Sequence, residues 1–152
     1  MGLFDKFISS GNTSMPYKPK NEQEAWTAIA FACASIDGDI SEVESKSICE
    51  ALVFKTMFKG HEIIDYYKNA IDAKKSIGSK DIIDSCVQFV VEENKATLFS
   101  IVCEILLSDA VFEEDEKKIL EYVAKAMNLN DEMAVKIIEV MLIRIKGNVI
   151  LK

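Results

Sequence analysis

The chain has one histidine, His61, and few of the residue patterns on which common enzyme classes depend. It contains no His-Glu-x-x-His zinc motif, no glycine-rich phosphate loop and no Glu-x-x-His pair of the di-iron bundles. His61 stands beside Glu62 at a predicted helix start, and no serine–histidine–aspartate order is readable around it. The sequence therefore predicts a protein that is not an enzyme. A metal site built only from carboxylates is the enzyme class left open.

Basic residues and long apolar runs are also scarce. Lys and Arg total 18 against 25 Asp and Glu, and the formal net charge of −7 argues against nucleic acid as a partner. No apolar run reaches the roughly 18 residues that a membrane-spanning helix needs. Asp5 and Lys6 interrupt the apolar start, so no secretory leader is predicted. We expect a cytoplasmic protein whose acidic surface suits cations or basic protein partners.

The cysteines do not form a metal-binding or redox motif. None belongs to a Cys-x-x-Cys pair, and each falls on the apolar stripe of a predicted helix. Buried, reduced thiols are expected, which fits a cytoplasmic location, although a disulfide between two of them stays open. The four are Cys33, Cys49, Cys86 and Cys103.

Residues 1–20 are predicted to form a flexible N-terminal tail. They include "SSGNTSMPYKPK", which is rich in Ser, Gly, Asn and Pro and has no periodicity. The opening "MGLFDKFI" carries a short apolar face, for which weak contact with a membrane surface and packing on the domain are both open. The apolar residues of this face are Leu3, Phe4, Phe7 and Ile8.

From residue 21 onward the pattern is helical, and no convincing strand pattern is present. The length of 152 residues and the 49% of hydrophobic residues suit one domain with a substantial core. Periodic segments separated by short breaks predict an all-α domain over residues 21–152, with about seven helices in a single bundle.

Several helices have recognisable ends or faces. Asn21 is a predicted N-cap, and Ser41 with Glu44 forms a predicted capping box at the start of the second helix. The buried side of that helix is predicted to include Ile48, Leu52 and residues 54–58. The segment "KATLFSIVCEILLSD" is apolar on most sides and is therefore predicted to be a central helix.

The last helix, "DEMAVKIIEVMLIRIK", is apolar on more than one face. An all-round apolar helix is normally buried, so burial in the core is the expected outcome. Any part of it that is exposed would be a partner or dimer surface.

The chain repeats itself at an offset of 72 residues, which aligns Asp37 with Asp109 and Glu44 with Glu116. Each copy reads as an apolar helix, an aspartate, a tight turn and the acidic start of a second helix. This predicts two helix pairs in a pseudo-twofold arrangement, with the two apolar helices packed together in the centre. Two copies are too few for a solenoid.

The two acidic turns are named here the first acidic corner (residues 37–44) and the second acidic corner (residues 109–116). They are not standard EF-hands, because a calcium loop needs oxygen ligands at its early positions. The first position would be Cys33 in one copy and Ile105 in the other. The invariant glycine of such loops is Ala110 in the second copy.

Two interpretations of the acidic corners stay open. In the first, their carboxylates bind a hard cation, Ca²⁺ or Mg²⁺. In the second, they only cap helices, since Ser41 and Glu44 suit a capping box and helix N-termini favour negative charge. The candidate metal ligands are Asp37, Asp39, Glu42, Glu44, Asp109, Glu113, Glu114 and Glu116.

With this repeat, the chain resembles the tellurite-resistance TerB family. The similarity lies in the "DGDISEVE" element at residues 37–44, in "SDAVFEEDEKKIL" at residues 108–120 and in "AMNLNDE" at residues 126–132. The opening "MGLFDKF" is similar to the start of TerB proteins. The chain departs from the family pattern at Ala110 and Val111, which weakens the case for metal geometry in the second acidic corner.

The resemblance implies an all-helical fold with internal twofold symmetry and a cytoplasmic protein of tellurite and stress resistance. It implies a non-catalytic interaction module, with protein partners that include membrane-linked Ter proteins and a location peripheral to the inner face of the membrane. Divalent cations would bind at the acidic signature, which falls on Asp37, Glu44, Asp109 and Glu116. The alternative is a metal-independent protein–protein interaction domain.

Overall fold

A computed structural model of the protein describes residues 17–36, 38–107 and 113–147. In these ranges the chain forms seven α-helices and no strand, which confirms the all-α prediction. None of the helices described is long and apolar enough to cross a membrane. They are α1 (Glu22–Ala34), α2 (Glu42–Val53), α3 (Ile63–Ser76), α4 (Ser79–Cys86), α5 (Lys95–Leu107), α6 (Glu114–Ala126) and α7 (Asp131–Ile145), with 3₁₀ turns at Thr56–Phe58, Val87–Phe89 and Glu92–Asn94.

Polar side chains cap the helix starts as the sequence predicts. The Asn21 side chain accepts a hydrogen bond of 2.8 Å from the Glu24 amide at the start of α1. Ser41 and Glu44 form the capping box of α2. These bonds satisfy backbone donors that an isolated helix end leaves without a partner.

Two apolar helices, α1 and α5, lie at the centre of the bundle. Every residue of α1 from Glu24 to Ala34 is buried, and eight residues of α5 are buried. The two helices contact each other; α3 packs on α1, and α7 packs on α5. The short helix α4 contacts both α1 and α6. The prediction that the segment from residue 95 forms a central helix is confirmed.

The predicted repeat appears in the helix boundaries. Shifting α1 and α2 by 72 residues places them within one residue of the bounds of α5 and α6. The third helix of each copy, α3 or α7, then covers the apolar helix of its own copy. The arrangement is therefore two three-helix units whose apolar helices meet, with α4 between them in sequence.

The end of α2 differs from the prediction. The helix stops at Val53, and Phe54 is 86% exposed, so the prediction that all of residues 54–58 face the core is wrong. Phe58 is buried, but from a 3₁₀ turn in which it packs edge-on against Trp26, with ring centroids 6.0 Å apart. Because the helix ends early, its periodicity no longer determines which side chains point inward.

The part of the predicted tail nearest the domain contacts it. The Tyr17 hydroxyl donates to the buried Glu24 carboxylate, and Pro19 is buried. Residues 1–16, which carry the apolar face of Leu3 and its neighbours, lie outside the described part of the chain. The tail boundary at residue 20 stays a prediction.

The Glu22 carboxylate joins three segments of the fold. Its Oε2 accepts hydrogen bonds from Trp26 Nε1 at 3.2 Å, from the Val91 amide at 3.1 Å and from Asn94 Nδ2 at 2.9 Å. The last two donors lie in the connection between α4 and α5. One charged acceptor at the first residue of α1 therefore holds this connection against the central helix.

Replacing this acceptor tests its contribution to stability. We expect Glu22→Ala to lower the free energy of unfolding by about 2 kcal/mol, because it leaves donors without their charged acceptor. Urea denaturation of the purified protein measures the change. Glu139→Ala, at an exposed carboxylate of α7, is the matched control and is expected to stay within about 0.5 kcal/mol of wild type. Equal losses in the two variants would contradict the assignment.

Candidate functional site

The described residues of the first acidic corner form a helix cap. Gly38 has a φ of +138°, which favours glycine, and the chain then enters α2 through Ser41. The Glu44 amide donates to Ser41 Oγ at 3.2 Å, and the Ser41 amide donates to Glu44 Oε1 at 3.3 Å. The Ser41 hydroxyl also donates to Glu44 Oε1, at 3.0 Å. One oxygen of Glu44 is therefore engaged within the corner, while Asp39 and Glu42 are exposed.

A lysine of α3, Lys74, lies next to the first acidic corner. Lys74 in the last turn of α3 donates from Nζ to the carbonyl oxygen of Ser35 at 3.1 Å. Ser35 is the C-cap of α1, where exposed carbonyls favour a positive charge. Asp39, Lys74 and Lys75 line one cleft of about 450 Å³ above Phe31 and Tyr67. The cleft therefore contains charges of both signs, because the ammonium groups of Lys74 and Lys75 lie in it together with the Asp39 carboxylate.

The second acidic corner also caps a helix. The Glu113 amide donates to Glu116 Oε1 at 3.0 Å, and Glu114, Asp115 and Glu116 occupy the first turn of α6. Glu114 additionally lies 3.8 Å from Lys117 in an ion pair between exposed side chains. These positions are where the positive end of the helix dipole favours carboxylates.

Six of the eight candidate metal ligands lie in the described part of the chain, and two do not. Asp37 and Asp109 lie outside the described residues, and so do Ala110 and Val111. Within residues 17–36, 38–107 and 113–147, no three His, Cys, Asp or Glu side chains are grouped so that they could hold a metal ion. The structure brings Glu44 to Ser41 and Glu113 to Glu116, which is the geometry of capping.

The histidine and the cysteines occupy structural positions. His61 Nδ1 lies 2.8 Å from the Tyr66 hydroxyl, which also accepts a bond from Asn21. All four cysteines are free, and Cys33, Cys86 and Cys103 are buried as predicted, whereas Cys49 is only partly buried, so the prediction of burial is wrong there. Burial raises the pKa of the Cys103 thiol to about 12 and also raises that of the Cys33 thiol, so both stay protonated at neutral pH.

The last helix has one buried face and apolar residues outside it. Ala134 and Met141 are buried against the centre, but Val135 is 52% exposed and Ile143 is 74% exposed. The expected burial of the whole apolar helix is therefore wrong, because a helix on the outside of a bundle has only one side facing the core. The apolar side chains that stay exposed are Met133, Val135, Val140, Leu142 and Ile143.

Two of these features are difficult to read from sequence. The sequence shows Lys74 only as a basic residue in the last turn of a predicted helix, and nothing in it indicates that Lys74 contacts Ser35. The exposed apolar residues of α7 were visible as an all-round apolar pattern. Their exposure depends on where α7 lies in the bundle.

Comparison with known proteins supports the resemblance found in the sequence. A family model described as "Tellurite resistance protein TerB" matches residues 23–138, from the first turn of α1 to the middle of α7. The match includes both acidic corners. Searches of the curated proteins and of the solved structures give no match.

The capping geometry makes a stability prediction for the first acidic corner. We expect Ser41→Ala to lower the free energy of unfolding by about 1 kcal/mol, because the Glu44 amide loses its acceptor. Chemical denaturation measures the loss. Ser47→Ala, inside the same helix, is the control and is expected to be neutral or mildly stabilising. If both serines behave alike, the capping box does not stabilise α2.

Proposed function

The chain belongs to the tellurite-resistance TerB family, and from this premise we propose that it is a non-catalytic interaction module of tellurite and stress resistance. It acts in the cytoplasm by binding other proteins, including membrane-linked Ter proteins, which bring it close to the inner face of the membrane. The observation that carries the proposal is the exposed apolar surface of α7. Acidic composition argues against nucleic acid as the partner.

The partner surface is the outer face of α7, defined by Met133, Val140 and Ile143. These residues are separated by seven and three positions, which places them along one side of a helix. They are 46%, 50% and 74% exposed. Arg144 is also exposed and adjoins them. Bulky apolar side chains beside a positive charge suit a partner that offers apolar and acidic groups.

The absence of catalytic activity is proposed from the chemistry of the residues. A cysteine nucleophile needs the thiolate, whereas burial keeps the Cys33 and Cys103 thiols protonated. His61 is engaged with Tyr66. No zinc-protease or phosphate-loop motif is present in the sequence.

Cation binding is a second element of the proposal. Asp39 and Glu42 are exposed beside the capping box, and Glu44 uses Oε1 in that box. Together with Asp37 they would offer oxygen ligands suited to Ca²⁺ or Mg²⁺. In the second corner the ligands would be Asp109, Glu113, Glu114 and Glu116. Binding there would bias the interaction with the partner.

The alternative is a metal-independent interaction domain whose acidic corners are only helix caps. The hydrogen bonds of Glu44 and Glu116 to backbone amides favour it, and so does the presence of Lys74 and Lys75 in the cleft beside Asp39. Both versions use the outer face of α7. They differ only in whether a cation modulates binding.

A titration with Ca²⁺, and with Mg²⁺ for comparison, separates the two versions. If cations bind, backbone amide NMR signals of Gly38 to Glu44 and of Glu113 to Glu116 will shift saturably. Glu44→Gln with Glu116→Gln should abolish the shifts while keeping the caps, because glutamine also fits a capping box. Glu139→Gln on exposed α7 is the control. If no localised shifts appear at millimolar metal, the acidic corners act only as helix caps.

The partner surface is tested in cells that depend on this protein for survival on tellurite. We expect Ile143→Lys to abolish the protection, because a charge at the most exposed apolar residue of the outer face prevents apolar contact. Ile64→Lys, at a 62% exposed isoleucine of α3, is the matched control and should protect like wild type. Circular dichroism confirms that both variants fold. Full protection by Ile143→Lys would contradict the assignment of this surface.

A further inference from the structure

We propose that residues 3–8 of this chain dock in an apolar groove between α6 and α7. This docking is separate from the partner surface proposed above, since the groove lies on the flank of α7 that carries Val135 and not on its outer face. The occupant is a segment of the same chain.

The groove exists because α6 and α7 each pack on α5 but make little contact with each other. It has a volume of about 680 Å³, within the range of roughly 300–1,000 Å³ that is typical of ligand sites. Its apolar lining comes from three helices, with charged side chains such as Lys118, Glu121 and Lys125 around it. The apolar residues are Phe99, Leu120, Ala124, Ala134, Val135 and Ile138.

In the first repeat, an aromatic side chain bridges the corresponding pair of helices. There the third helix, α3, places Tyr67 across to α2, with its hydroxyl 2.6 Å from the Ser45 hydroxyl. The Tyr67 ring also packs edge-on against Phe31, with centroids 5.3 Å apart. One aromatic side chain on the covering helix thus bridges the two neighbouring helices.

The second repeat has no such bridge from its covering helix. The sequence of α7 contains no aromatic residue, and its apolar side chains that line the groove are Ala134, Val135 and Ile138, with Asp131 as the charged one. Aliphatic side chains of this length do not reach across as Tyr67 does. The groove therefore has the geometry of a receptor for bulky apolar side chains supplied by another segment.

The N-terminal segment supplies side chains of the kind that α7 lacks. Leu3, Phe4, Phe7 and Ile8 are spaced so that they share one side of a helical turn, with Asp5 and Lys6 between them. Two of the four are aromatic. The groove is bordered by charges of both signs, such as Lys118 and Glu121, and these suit a segment that carries one acidic and one basic side chain.

An eight-residue linker joins the segment to the described part of the chain. Residues 9–16 separate the segment from Tyr17, which is bound to Glu24 on α1. Eight residues span up to about 27 Å when extended, and α1, which holds Tyr17 through Glu24, contacts α6, one wall of the groove. A link this short also gives an effective concentration in the millimolar range, so even a weak contact is populated.

The test compares backbone amide spectra of the full chain and of its Phe4→Asp/Phe7→Asp variant. We expect the signals of Leu120, Ala124, Val135 and Ile138 to shift between the two, at the same positions over a wide range of protein concentration. A synthetic peptide of residues 2–9, added to the variant, should restore the wild-type signals saturably. Val135→Lys, introduced into the variant, should weaken this peptide about tenfold, the effect of losing one apolar contact of this size. Ile64→Lys should leave peptide binding unchanged.

Three results would overturn the proposal. Groove signals that are identical in wild type and variant would show that the segment does not dock there. Differences that vanish on dilution, with a dimer mass at high concentration, would assign the groove to a second copy. A segment that binds anionic vesicles without any change at the groove would assign it to a membrane. None of these outcomes bears on the Ile143→Lys experiment, so the two proposals fail separately.

Discussion

The fold depends on the need to cover the extensive apolar surfaces of α1 and α5. α1 is buried from Glu24 to Ala34, and α5 buries eight residues and has only a narrow polar stripe, formed by Thr97, Ser100 and Glu104. Apolar surface of this extent is stable only when removed from water, so the other helices are arranged around this pair. α3 covers one and α7 the other, while α4 joins α1 to α6. The carboxylates at the start of α1 are hydrogen-bonded, Glu24 by Tyr17 and Glu22 by Trp26 and by the connection before α5.

The same arrangement explains why the acidic corners look like a functional motif. Each corner is the place where an apolar helix ends and a surface helix begins, so backbone groups at both ends need partners. Carboxylates meet this need at the start of α2 and α6, and Lys74 meets it at the end of α1. A cluster of acidic residues therefore follows from capping, and cation binding is a further property that the titration decides. The geometry of Glu44 is compatible with both, because the box engages only one of its oxygens.

The two repeats share a framework and differ in what covers it. In the first, Tyr67 bridges α3 and α2, and Phe58 packs on Trp26 from the connection between those helices. In the second, the corresponding connection is short, from Met127 to Asn130, and the apolar side chains of α7 towards the groove are all aliphatic. The first copy therefore bridges its second and third helices with an aromatic side chain, whereas the second leaves a groove of about 680 Å³ and an exposed apolar outer face.

The sequence by itself determined the helical class, the repeat, the caps at Asn21 and Ser41 and the burial of α1 and α5. These properties depend on local periodicity and on hydrogen bonds over three or four residues, which a single sequence displays. Only the tertiary structure decided that Phe54 is exposed while Phe58 is buried, that Lys74 reaches Ser35, and that α7 keeps much of its apolar surface in water. Each of these depends on contacts between residues far apart in the chain, or on which side of a helix meets a neighbour. Periodicity shows that a helix is apolar, but the number of neighbours around it determines how much of that surface is buried.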